Sequence, residues 1–325
     1  MLHDLKIDQV LIAPGEKKIL EFTVPDSKGY SFPAVLINGC KEGKCFLATA
    51  GVHGAEYPGI QALIELGQEI GPADVSGAVL LIPIVNTPAF YGRRAYVCPA
   101  DEESKNFNKV FPGRPDGTVA DKVAYYITEH FIKGRDFHVD LHSGDIVEDL
   151  EEFCAVGNSP DPAIKAFVTE VAKHTLFTHR INSGGKTEVY NRSAIDLGIP
   201  SLLFERGGAG LVIPDEIERN KLDLISIMQY LKILPGEPID NSEGQIFYPR
   251  HHWGEAGVSG CFYKFAGTGD EIKKGQLIGE IRDVSGHVLE EIRAEYDGRI
   301  KISNNTLGLS KGDDTFMYGS TRETD

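Results

Sequence analysis

Gly51-Val-His-Gly-Ala-Glu-Tyr-Pro-Gly59 is the stretch whose reading decides the fold. It follows Phe46-Leu-Ala-Thr-Ala50, a short apolar run bounded by glycine that reads as a buried strand. Beyond it, Ile60, Leu63, Ile64, Leu66 and Ile70 recur at helical spacing, and Pro58 stands where a first helical turn tolerates it. His53 and Glu56 thus occupy a strand-to-helix turn at the carboxyl end of a strand, the rim where open α/β sheets place their ligands. An imidazole nitrogen and a carboxylate held close together can share one Zn2+. A His-x-x-Glu pair alone equally suits a solvated loop, so a third donor has to decide.

Phe137-His-Val-Asp-Leu-His142-Ser-Gly supplies that donor. His142 ends a second short, apolar, strand-like run and so reaches the same rim. His138 lies inside the run and is expected to pack or hydrogen-bond there. Asp140, two residues before His142, points to the same side; it either orients the imidazole from behind or is a structural strand residue. Three protein donors and one open position are the usual pattern of catalytic zinc.

Composition narrows the class. A chain of 325 residues can hold one large domain and a small one. Its 41% hydrophobic and 25% charged content suits a globular protein. A formal charge of −15 leaves no basic face to neutralise phosphates, so no nucleic-acid partner is expected. No apolar run approaches a membrane span and the first residues do not read as a signal peptide, so no membrane association is expected. Five scattered cysteines suit a reducing compartment, and a cytoplasmic location is expected. Cys40 and Cys45 lack the second cysteine pair that a structural zinc site would need.

In chain order, 17–24 and 32–38 read as two edge strands, and 77–86 as a strand buried on both faces. Residues 87–117 show little periodicity, and loops of that length are usually functional. This one holds Arg93, Arg94, Asn106, Asn108 and Lys109. Helices are expected over 118–133, 160–174, 187–197 and 213–234, with strands at Phe153–Gly157 and Ser201–Glu205. Glu205 ends an apolar strand, where a charge is costly unless it faces a cleft, a cation or water.

Taken in order, Gly51-x-His53-Gly54-x-Glu56, Asn86-x-x-Ala89-Phe90, Asn106-x-Asn108-Lys109-x-Phe111-Pro112-Gly113, Asp140-Leu-His142-Ser-Gly144 and Phe204-Glu205 form a set. The set resembles the succinylglutamate desuccinylase/aspartoacylase family, a branch of the zinc-carboxypeptidase-like fold, over about 47–210. The resemblance implies an α/β fold with a mixed, mostly parallel sheet flanked by helices. It implies one Zn2+ per chain on His53, Glu56 and His142, and Glu205 as general base and acid. It further implies that Arg93, with Arg94 as the alternative, binds a substrate carboxylate together with Asn108. A guanidinium suits that role because it grips a carboxylate as a bidentate fork. Lys109 stands where the family usually has arginine, and lysine is a point charge without the fork. The implied activity is hydrolysis of the amide of an N-acyl amino acid or related N-acylated small molecule. A zinc carboxypeptidase acting on short peptides and a non-catalytic metal-binding module are the rival readings. A homo-oligomer is compatible with the sequence.

Pro235-Gly-Glu-Pro marks a linker. The expected organisation is a catalytic α/β domain over 1–235, a small β-domain over 236–319 and a polar tail over 320–325. The second segment resembles a biotinyl/lipoyl-like β-sandwich or barrel, similar to the β-domain that leans over the site in the resembled family. Its candidate hairpin, Asp283-Val-Ser-Gly-His-Val288, carries no lysine for a prosthetic group, which speaks against a carrier role. His251, His252 and Trp253 are expected in surface or interdomain packing.

Overall fold

The computed structural model describes residues 2–94, 106–157, 159–183 and 196–324. Most of the expected helix over 187–197 lies outside the described residues. The strands in chain order are β1 (Leu5–Ile7), β2 (Val10–Ile12), β3 (Lys17–Thr23), β4 (Ser31–Asn38), β5 (Lys41–Ala50), β6 (Ser76–Ile82), β7 (Phe137–His142), β8 (Glu148–Leu150), β9 (Phe153–Gly157), β10 (His179–Ser183) and β11 (Ser201–Glu205). The later part adds β12 (Ile246–Tyr248), β13 (Arg250–Glu255), β14 (Gly260–Lys264), β15 (Glu271–Ile272), β16 (Leu277–Arg282), β17 (Val288–Arg293), β18 (Gly298–Asn304), β19 (Gly308–Leu309) and β20 (Asp314–Ser320). Five helices matter here: α1 (Tyr57–Glu69), α2 (Thr87–Gly92), α3 (Val119–Ile127), α4 (Pro162–Ala172) and α5 (Pro214–Tyr230).

Nine strands form one sheet in the order β12-β10-β9-β11-β7-β5-β6-β4-β3. Five of its eight pairings are parallel, including the central β11-β7-β5-β6 block, and three are antiparallel. The sheet is therefore mixed and mostly parallel, with helices on both faces. Only β3 of the two expected edge strands is an edge, because β4 also pairs with β6. The nominally aperiodic 87–117 segment opens with α2, which Asn86 caps by accepting the Ala89 N–H.

Alternation along the strands sorts chemistry from packing. Phe46, Ala48 and Ala50 of β5, Phe137, Val139 and Leu141 of β7, and Leu202 and Phe204 of β11 join one buried cluster with α1, α4 and α5. The residues between them, including Thr49, His138, Asp140, His142 and Glu205, point to the opposite face. On that face α3 and the β1-β2 hairpin cover the part around Leu47, Leu80 and Ile82. α3 starts on a capping box in which Thr118 and Asp121 satisfy each other's backbone N–H groups. The polar row is left to face a cleft.

Two further sheets, β13-β20-β18-β15 with β8 on β18 and β17-β16-β14-β19, enclose their own core around Phe262, Ile281, Ile300 and Phe316. The boundary is crossed twice. β12 lies past the proline linker yet extends the large sheet beside β10, and β8 lies between site strands yet pairs with β18. A small apolar cluster of Phe153, Leu203, Tyr248, Ile302 and Met317, with Trp253 against it, joins the β-rich part to the face that carries Glu205.

A candidate metal centre at the strand ends

Gly51 turns the chain out of β5 at a φ of +67°, a conformation glycine adopts without strain. Gly59 then lets α1 close on β7, since a Cβ there would meet Leu141 Cβ at 2.7 Å. This close packing carries Glu56 to His142. Glu56 occupies the position before α1 but caps no helix N–H. Its carboxylate faces two imidazoles instead: Oε1 lies 2.6 Å from His53 Nδ1, and Oε2 lies 2.9 Å from His142 Nδ1. The Ser143 N–H donates to Oε2 at 3.2 Å. All three side chains are buried, and their donor atoms lie within 4.8 Å of one another.

The outer ring nitrogens are also held. His142 Nε2 lies 2.9 Å from Asp140 Oδ2, and His53 Nε2 lies 2.9 Å from Asn106 Oδ1. Asp140 in turn accepts the Thr49 hydroxyl at 2.6 Å. Both imidazoles therefore present Nδ1 to the carboxylate while a second oxygen fixes each ring from behind, the arrangement that orients histidine ligands in metal sites. His138, one turn of the pleat further in, sits 2.9 Å from Thr49 Oγ1 and is pushed down to about 4 by burial. It packs as a neutral histidine.

Electrostatics fit a cation. Burial would raise the Glu56 pKa, but His53 and His142 pull it down to about 2. Burial would lower the His142 pKa, but Asp140 and Glu56 hold it well above the usual histidine value. His53 is raised in the same way by Glu56 against its burial. The cluster draws protons onto its imidazoles to balance buried carboxylates, and a divalent ion can replace them, releasing protons as it binds. Two imidazole nitrogens and a carboxylate oxygen are the donor chemistry of zinc.

Glu205 stands one strand over. It is paired in parallel register with His142, so both side chains leave neighbouring strands on the same face. A cavity over the cluster is lined by Glu205, Asn108, Lys109, Glu148, Trp253 and Asp314. Asn108 is buried and Lys109 exposed in the short turn Phe107–Val110. Arg93 is exposed at the end of α2 with φ +53° and does not line this cavity; Arg94 beside it is exposed too. Pro99, the landmark for their spacing, lies outside the described residues.

Two wall residues, Glu148 and Asp314, go unmarked in the sequence reading. Glu148 follows the Asp-Leu-His-Ser-Gly motif so closely that the motif itself is a signal. Trp253, expected in surface or interdomain packing with a role over the cleft left open, packs against the joining apolar cluster and lines the cavity. Asp314 comes from β20 with no local signal.

Fold and donor set together define a mixed α/β protein with a candidate metal centre at the carboxyl ends of its central strands. The succinylglutamate desuccinylase/aspartoacylase catalytic domain matches residues 42–231, and the chain belongs to that family. It is 29% identical over 283 residues to the N-alpha-acetyl-L-2,4-diaminobutyric acid deacetylase of Halomonas elongata, covering 84% of this chain and 81% of that protein. Among solved structures it resembles a succinylglutamate desuccinylase/aspartoacylase from Rhodobacter sphaeroides at a TM-score of 0.81 and 24% identity, over 94% of this chain and 96% of the other. It equally resembles the ectoine utilization protein EutE (DoeB) from Ruegeria pomeroyi in its product-bound form, at 0.81 and 24% over 94% of each chain. Among the described residues no helix is long and apolar enough to cross a membrane.

Proposed function

We infer that this protein is a zinc-dependent deacylase that hydrolyses the amide of a small N-acyl amino acid. The observation that carries the reading is the convergence of His53, Glu56 and His142 in one cavity with Glu205 on the adjoining strand end. The name of the Halomonas elongata relative supports an N-acylated amino acid as the substrate class.

His53, Glu56 and His142 would hold Zn2+, with Asp140 and Asn106 fixing the two rings. Bound there, the ion supplies Lewis acidity that polarises a carbonyl and acidifies water toward a pKa of about 7. Glu205 takes the proton of the attacking water and delivers it to the departing nitrogen as the C–N bond breaks, so one carboxylate and one amine leave. Asn108 and Lys109 hold the substrate carboxylate from the cavity wall. Arg93, with Arg94 as the alternative, joins them in binding that carboxylate. Residues 1–235 carry this chemistry, and 236–319 lend the cavity Trp253 and Asp314. The protein works on a free small molecule in the cytoplasm.

The test is a panel of N-acyl amino acids, N-acyl diamines and short peptides incubated with the zinc-loaded protein. Release of free amine from the small N-acyl amino acids is expected. Turnover confined to peptide carboxyl ends would replace the reading by a carboxypeptidase, and no turnover at all would overturn it.

A further inference from the structure

Glu205 is the last residue of β11, and the chain beyond it is built to bend. Past Arg206 come Gly207-Gly-Ala-Gly210, and the chain leaves the strand at Gly207 with a φ of +96°. A strand end that runs into glycines frays readily, because few contacts oppose the backbone freedom beside it. A general base carried there would wander, and a misplacement of about 1 Å can cost about 100-fold in rate. Arg206 occupies the one position between Glu205 and the glycines.

Its contacts suit it to pin that end. Its backbone N–H donates to the His142 carbonyl at 3.1 Å, and the Gly207 carbonyl accepts the Gly144 N–H at 2.8 Å, so the ladder to β7 runs on past Glu205. Since Glu205 faces the cleft, the Arg206 side chain leaves from the opposite face of the sheet. There Nε donates to Glu152, the residue before Phe153, and Phe153 is the partner of Glu205 in the pairing of β11 with β9. Nη1 donates to Asp223 and Asn220 on α5. The guanidinium lies over Phe177, whose ring packs against Phe204 of β11 with centres 4.8 Å apart. One residue thus ties the end of β11 to both neighbouring strands and to a helix. Glu152, Asn220 and Asp223 neither line the cavity nor belong to the candidate donor set.

We propose that Arg206 is the positioning residue of Glu205: its buried side chain fixes the end of β11 so that the Glu205 carboxylate stays beside the candidate metal centre. The proposal rests on the deacylase reading above, in which Glu205 moves the proton.

Arg206→Lys in the zinc-loaded protein tests this, since lysine keeps the charge but cannot grip Glu152 and α5 together. On the best N-acyl amino acid of the panel, kcat should fall about 10- to 100-fold while KM and zinc content stay near the parent values. In a Glu205→Gln background the same substitution should change kcat by less than about twofold, because no base is left to place. Asn220→Ala removes one contact to Nη1 and keeps the guanidinium. It should show the same dependence on Glu205 with a fall of about 3- to 10-fold, and it decides the matter should the lysine variant fail to fold. Glu151→Gln, which breaks a buried ion pair elsewhere, should leave kcat unchanged. A loss of equal size in both backgrounds, a loss shared by Glu151→Gln, or no loss from Arg206→Lys or Asn220→Ala would overturn the proposal. Backbone hydrogen exchange gives a readout without chemistry. The amides at position 206 and at Gly144 should exchange at least about 10-fold faster in Arg206→Lys, while those of β5 and β18 keep the parent rates. If the parent hydrolyses no amide, the deacylase reading fails and the exchange rates still decide whether Arg206 fixes the strand end. Hydrolysis by the parent, with exchange and kcat both unmoved in the variants, would sink the positioning role alone.

Discussion

Glu205 and Arg206 are neighbours in the chain, yet they serve two buried charged clusters built on opposite plans. Arg206 turns inward, 1% exposed, and donates to Glu152 and Asp223 at 2.7 Å each and to Asn220 at 3.2 Å. Its guanidinium stacks 3.9 Å from the centre of Phe177, and Arg219 completes the group on Glu152. Two arginines thus balance two carboxylates, with the central guanidinium held from several sides. On the other side, Glu56 and Asp140 face two imidazoles that balance them only when both carry protons. A cluster whose charges are already matched holds the fold together. One that is matched only by borrowed protons is ready to exchange them for an ion.

Substitutions can break this contrast, and the unfolding free energy of the metal-free protein is the common scale. Arg206→Met has the largest expected effect, because it leaves the fully buried Asp223 without a cation and Glu152 with Arg219 alone. Breaking a buried pair on one side costs about 3–5 kcal/mol. Urea titration should show that loss, and a change below about 1 kcal/mol would mean the cluster is dispensable.

Glu151→Gln should follow. Glu151 joins the main sheet to β18 through Arg299 and through Lys301 Nζ at 2.7 Å. Burial would raise its pKa, but Arg299 and Lys301 hold it at about 2, against an ordinary 4.5. A carboxylate lowered on folding stabilises above its unfolded pKa, and the contribution fades as pH falls from about 4.5 toward 2. The variant should therefore lose about 1–2 kcal/mol at pH 7. The gap to the parent should narrow by about pH 3. A gap independent of pH would assign the loss to packing.

His142→Ala has the smallest expected effect on folding, no more than about 1 kcal/mol, since the proposed metal centre is built for an ion more than for the fold. Zinc per chain should nevertheless fall from about one to a small fraction. Full occupancy in the variant would remove His142 from the donor set.

The same contrast explains what could be read from the chain. Short apolar runs ending in His53, His142 and Glu205 announce strand ends, and strand ends of an α/β sheet form one rim, so these residues were legible in the sequence. The central strands were legible because β6, β11 and the second half of β5 are buried and read as short apolar runs, and because β7 alternates Phe137, Val139 and Leu141 with polar residues. β8 and β12 were not, because three-residue strands carry no period and owe their place to partners far away in sequence. The far wall was hidden for the same reason. Asp314 and Trp253 reach the cavity only because the small sheets dock on the Phe153-Leu203-Tyr248 patch, a tertiary event with no local signature. Arg206 is followed by Gly-Gly-Ala-Gly, and nothing near it in sequence announces Glu152 or Asp223 as its partners.

Glu205→Gln tests the central claim most directly. The amide fills the same volume and cannot accept a proton, and Glu205 lies beside the His53-Glu56-His142 set without belonging to it. Zinc content and KM should stay near those of the parent, while kcat on the best N-acyl amino acid of the panel falls by about 10²–10⁴-fold. A variant that keeps its zinc and hydrolyses at nearly the parent rate would contradict the account, and so would one that loses its zinc along with its activity.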